Sequence, residues 1–155
     1  MRSNQARSTG GGAAGLVLAL ALAAGACAAG DTPAGGGAGT ISGEVRYDGA
    51  EVGTLRVSAF TRFPPIGAPT AEVAIDAPRF PQPYQLSGLP PGRYFVLAIV
   101  DVDPGDGDRY RPRVDPGGAF GRSLSPAAIT VELSAPRDRV DVVLDPPHQG
   151  SPWDR

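Results

Sequence analysis

From Thr40 onward the chain runs in short stretches where apolar and polar residues alternate. A period of two puts one side of an extended strand in a core and the other in water. In ISGEVRYDG, Ile41, Gly43, Val45 and Tyr47 fall on one side, and Ser42, Glu44, Arg46 and Asp48 on the other. Asp48-Gly49 is then a turn signal. TLRVSAFT points Leu55, Val57 and Ala59 one way, and AEVAID does the same with Val73 and Ile75. Tyr84–Ser87 reads as a short strand, which LPPG turns. RYFVLAIVD, residues 93–101, is apolar on both faces, which predicts a central strand covered on both sides, with Val96 and Ala98 near-fully buried. AITVELS places Ile129, Val131 and Leu133 inward, and RVDVVLD places Val140, Val142 and Leu144 inward. Seven strands at this spacing predict an all-β domain of about 100 residues, a seven-stranded Greek-key β-sandwich of prealbumin- or Ig-like type.

The pattern before Thr40 is different. Arg2 and Arg7 precede an uncharged run, GLVLALALAAGAC, from Gly15 to Cys27. Its apolar part is shorter than the roughly 20 residues that a membrane-spanning helix needs, and it has the dimensions of a secretory signal. Ala24-Gly25-Ala26-Cys27 resembles the lipobox of bacterial lipoproteins, with Ala24 where leucine is commonest. The resemblance implies cleavage before Cys27 and lipidation of its thiol. Cys27 is the single cysteine, so it has no disulfide partner within the chain. Residues 28–40 contain no large apolar side chain and cannot join a core, which predicts a flexible tether. The expected organisation is a signal peptide over 1–26, lipidated Cys27 and linker over 27–39, the sandwich over 40–146, and a loose tail over 147–155. With Ala28 and not Asp after the cysteine, the lipoprotein resemblance implies the outer membrane if the cell is Gram-negative.

Composition narrows the function. The net charge is −2, and all 14 basic residues are arginine. No basic patch suited to nucleic acid is visible. The lone histidine, His148, falls in the predicted tail, too loosely held for a catalytic triad. Zinc lacks its usual ligands, and neither a phosphate-binding nor a dinucleotide-binding glycine motif is present. The chain is therefore expected not to be an enzyme.

PYQLSGLPPGRYFVLAIVD resembles the core signature of transthyretin-like, or carboxypeptidase regulatory-like, β-sandwich domains, through Leu86, Leu89, Gly92, Tyr94 and Val96. ISGEVRYDG is similar to their first strand. The resemblance spans about residues 40–146 and implies the fold more than a function, since such modules are mostly accessory domains. Gly92 is expected to allow the turn, and Pro90 and Pro91 to stiffen it.

DVDPGDGD, residues 101–108, puts four aspartates directly after the most apolar strand. Asp101, Asp103, Asp106 and Asp108, with Asp115 beyond them, could supply oxygen ligands to calcium. The spacing carries an extra residue between Asp103 and Asp106, and no glutamate closes the set. In DPGGAFG, residues 115–121, the glutamate of similar stretches in related sandwiches is missing. A solvated turn after a buried strand accounts for the same residues and is the favoured reading. No cofactor is required, and calcium is the possible one.

The expected function is that of a non-catalytic cell-envelope lipoprotein, whose membrane-anchored sandwich serves as an accessory or interaction module for a protein or glycan partner. The alternative is a calcium-assisted carbohydrate- or peptide-binding module. The surface aromatics available to a ligand are Phe60, Phe63, Phe80 and Phe120, with Trp153 in the tail. Phe63 and Phe80, each beside a proline, are expected to cap the sandwich edge.

Overall fold

A computed structural model describes residues 38–103, 105, 110–133 and 135–148. The predicted signal peptide, Cys27, most of the linker, Asp106, Asp108 and the tail beyond His148 lie outside the described residues.

The described chain is all-β, with eight strands: β1 Gly39–Arg46, β2 Thr54–Phe60, β3 Ala71–Ile75, β4 Gln82–Leu89, β5 Gly92–Asp101, β6 Gly117–Ala119, β7 Ile129–Val131 and β8 Val142–Val143. A strand falls within each of the seven predicted segments, and β6 is an eighth that alternation did not indicate, so the expected count of seven does not hold. They form two sheets, one ordered β4-β1-β8 and one ordered β3-β2-β5-β6, with β7 also paired to β5. Burial makes the architecture sandwich-like. Ile41, Val45 and Leu86 from the first sheet share one core with Leu55, Val57, Val96 and Val100 from the second. Val96 and Ala98 are 0% and 1% exposed, as their place in the apolar strand predicts.

β5 is the axis of the larger sheet. One edge pairs with β2 from Thr54↔Asp101 to Phe60↔Phe95. The other edge is shared, with β7 along Gly92–Tyr94 and β6 along Leu97–Ile99. At the far side of β6 the two sheets are stitched together, because Gly117 and Asp145 exchange both backbone hydrogen bonds. Gly117 and Gly118 permit this. A Cβ on Gly118 would lie 2.2 Å from the Val143 carbonyl oxygen, and one on Gly117 would lie 2.8 Å from the Tyr110 ring. Glycine ordinarily weakens a strand, so GGA does not read as one; here close approach on both faces requires it.

The structure departs from the sequence reading at Leu133 and at Gly92. Leu133 is half exposed, 49%, because the chain turns after β7 and Glu132 bridges to Ala135. Val73 and Ile75 share one face of β3, as alternation places them, and pack on the core only partly buried because β3 is a sheet edge. The glycine in the left-handed region is Gly88, at φ 78°, beside the irregular register between Gly39 and Ile41. Gly92 lies within β5 outside that region, and the turn is instead tied by the Tyr94 hydroxyl donating to the Pro90 carbonyl at 2.8 Å. Pro83 stands inside β4, where an edge strand tolerates the missing N–H.

The segment 137–145 runs parallel to β1, and the left-handed Arg139 interrupts it, which leaves β8 short. The Tyr84 hydroxyl clamps this segment by donating to the Val140 carbonyl at 2.6 Å. Burial raises the Tyr84 pKa well above its ordinary value. An acid whose pKa is higher folded than unfolded stabilises the fold below its unfolded value, about 10 for tyrosine, and loses that contribution as pH rises through the folded value. The domain should therefore lose stability progressively above about pH 10, and Tyr84→Phe should flatten that fall in denaturant titrations. At neutral pH the same variant should cost about 1 kcal/mol for the lost hydrogen bond. An alkaline limb as steep in Tyr84→Phe as in the parent would contradict the assignment.

Candidate functional site

Alternation gives β2, β3 and β5 a second face, turned away from the core. The pairs Arg56↔Ile99, Ser58↔Leu97 and Phe60↔Phe95 place these side chains on it, with Glu72 beside Ser58. Leu97 is buried although it faces outward, 6% exposed. The two-faced apolar character of β5 predicted such a cover. Two segments supply it: the proline-rich connection 61–70 and the region of Tyr110, whose ring occupies the space left by the missing side chain of Gly117.

Between these covers lies a cleft of about 370 Å³. Leu97 and Ile99 form its floor, Pro65, Pro69 and Tyr110 its walls, and Arg56, Ser58 and Glu72 a polar side. Its size is within the range of small-ligand and side-chain pockets, roughly 300–1,000 Å³. Near the Phe60 end of the same face, Phe63 packs on Phe95 with ring centroids 6.1 Å apart, and the Arg93 guanidinium lies 5.4 Å from the Phe95 ring centre. Phe63 thus sits on the outer face of the sheet. Phe80 packs edge-on against Tyr47 at the margin of the core.

The polar side is an ordered network. The Ser58 hydroxyl donates to Glu72 Oε2 at 2.7 Å, and Arg56 Nη1 donates to Glu72 Oε1 at 3.1 Å. Arg56 Nε also lies 3.5 Å from Asp101 Oδ2, whose side chain is 2% exposed. Among the described residues neither Asp101 oxygen accepts a hydrogen bond. Its counter-charge among the described residues is Arg56, in a setting where an unpaired carboxylate is expensive.

The acidic stretch thus separates into different environments. Asp101 is buried against Arg56. Asp115 is also buried, and it closes the loop: Oδ1 accepts from the Val102 N–H at 3.2 Å, and Oδ2 accepts from the Arg111 N–H at 2.7 Å and Arg111 Nε at 3.4 Å. Asp103 is exposed, 3.7 Å from Arg111 Nη1. The described members of the proposed calcium set therefore face arginines, and no group of three acidic, His or Cys residues suited to a metal is found among the described residues. His148 is exposed, and its backbone N–H donates to the Pro112 carbonyl.

Sequence reasoning did not single out Arg56, Ser58 or Glu72. The available signal was indirect. In TLRVSAF, Arg56 and Ser58 fall on the polar side of a strand adjoining one that is apolar on both faces, so they border whatever covers β5, and Glu72 falls on the polar side of AEVAI. Comparisons with family models, curated proteins and solved structures find no match to this chain.

The network sets a double-mutant test. Arg56→Leu should destabilise the domain by about 3–5 kcal/mol, because it leaves Asp101 buried without a counter-charge. Asp101→Leu added to Arg56→Leu should recover most of that loss in urea unfolding. Additive losses would show that the two residues are not coupled.

Proposed function

We propose that the chain is a non-catalytic, lipid-anchored β-sandwich module of the cell envelope, which holds a protein partner through the cleft on the outer face of its larger sheet. One observation carries the binding reading: the cleft of about 370 Å³ with the apolar floor of Leu97 and Ile99 and the hydrogen-bonded polar side of Arg56, Ser58 and Glu72. Its floor lies on paired strands, so the site is preformed, as ligand pockets usually are. An apolar floor with polar groups on one side suits a side chain of a partner segment better than a polyhydroxylated glycan.

The anchor reading rests on the sequence: the uncharged run from Gly15 and the lipobox-like residues ending at Cys27. The LPPG turn and Tyr94 support a transthyretin-like Greek-key module, a class used mainly for accessory roles. The non-catalytic reading rests on the sequence, and the described lining of the cleft is consistent with it in holding neither histidine nor cysteine. Outer-membrane residence follows for a Gram-negative cell.

A photoreactive benzoylphenylalanine at Pro69, on the cleft wall of the full chain in its native cells, tests the site. It should yield a discrete cross-linked adduct. Filling the cleft from its polar side with Ser58→Trp should reduce that adduct at least tenfold without lowering the melting temperature by more than a few degrees. The same probe at Val52, which is 77% exposed and does not line the cleft, should give none. An adduct at Pro69 that persists in Ser58→Trp, or a partner captured equally from Val52, would sink the cleft as the binding site.

A further inference from the structure

The strand directions give the domain two unlike ends. β1 begins at Gly39, opposite Leu89 at the end of β4, and a Cβ at Gly39 would meet Val131 at the end of β7. The start of β1, the β4–β5 turn, the end of β7 and the connection leaving β2 at Phe60 therefore share one end. The chain from Cys27 joins the domain at that end. The opposite end holds the β1–β2 and β3–β4 connections and the loop that leaves β5 at Asp101.

The surfaces of these ends differ. The joining end presents Pro64, Ile66 and Ala68 in the β2–β3 connection, Pro90 and Pro91 in the β4–β5 turn, and Leu133 after β7, all exposed. Ile66 is 71% exposed and Leu133 49%. Along this end the strands follow in the order β3, β2, β5, β7, so the connection carrying Ile66 and the turn carrying Leu133 flank the proline turn across about 15 Å, three interstrand spacings of roughly 4.8 Å. Charge here leans positive, with exposed Arg62, Arg93 and Arg137 against Glu132 and Asp138. The opposite end presents Asp48, Glu51, Asp76 and Asp103, together with Arg79 and Arg113.

We propose that the joining end lies on the bilayer surface, with Ile66 and Leu133 seated among the headgroups and the acidic end directed away. This rests on the anchor reading for Cys27. Eleven residues, 28–38, separate Cys27 from Gly39. Even fully extended they span at most about 40 Å, so an acylated Cys27 holds this end close to the membrane. Exposed isoleucine and leucine gain from the interface, and the arginines are drawn to anionic lipid. Acidic side chains facing such a leaflet would be repelled. The cleft walls Pro65 and Pro69 flank Ile66, so docking would place the cleft beside the bilayer.

The test uses the full lipidated protein, reconstituted in vesicles of phosphatidylethanolamine with a minor fraction of phosphatidylglycerol. An environment-sensitive NBD label is attached in separate variants Ile66→Cys, Leu133→Cys and Val52→Cys. All three positions are exposed, so the core is untouched. Intact mass establishes whether Cys27 is acylated. The expected result is a several-fold rise in NBD emission at 66 and 133, quenched by nitroxide-labelled lipid, with position 52 unchanged. Acylated protein whose labels at 66 and 133 behave like that at 52 overturns the docking and leaves the anchor standing. Cys27 without acyl chains overturns the anchor and the docking together.

Discussion

A strand that is apolar on both faces must be covered on both faces. β5 imposes this constraint, and the rest of the domain answers it. Its inward residues Tyr94, Val96, Ala98 and Val100 meet β1, β4 and β8 across the core. Its outward residues Phe95, Leu97 and Ile99 meet no second sheet. Connections cover them instead, and connections pack less completely than strands. The gap left between the 61–70 segment and Tyr110 is the cleft. The cleft is thus a consequence of how the second face of β5 is shielded, and its floor is as firm as the core beneath it.

At the edge of that covered face the sequence places charge. Asp101 ends β5 with its side chain buried, and among the described residues the guanidinium of Arg56 is the cation beside it. Arg56 also serves Glu72. One cation holding two carboxylates fixes the polar side of the cleft, because rotating the guanidinium away from either acid would strand a partly buried charge. Asp115 does comparable work one loop further on, where Arg111 and two backbone N–H groups fix the return of the chain to β6. Two of the five aspartates offered as calcium ligands, Asp101 and Asp115, are therefore interior groups with arginine partners.

The strand pattern was legible because period-two alternation follows directly from burying one face. Ile41 and Val45, Leu55 and Val57, and Val140 and Val142 all point where alternation places them. β6 was hidden because its sequence, GGA, has no side chains to alternate; only the neighbouring Tyr110 ring and Val143 carbonyl explain it. Leu133 was misplaced because a pattern does not show where a strand stops. The cleft was half legible. RYFVLAIVD required a cover on its outer face, but which segment supplies it depends on contacts between residues distant in sequence. The pairing of Asp101 with Arg56 was equally invisible, since 45 positions separate them and both are charged residue types that usually sit in water.

Native-state hydrogen exchange resolved by residue tests the central role of β5 most directly. The amides of Val96–Val100 are predicted to be among the slowest in the chain and to exchange only through global unfolding, with a free energy equal to that from denaturant unfolding. If those amides exchange through local opening while amides of β1 and β4 remain protected, β5 is not the strand that organises the domain, and a preformed cleft on its outer face loses its foundation.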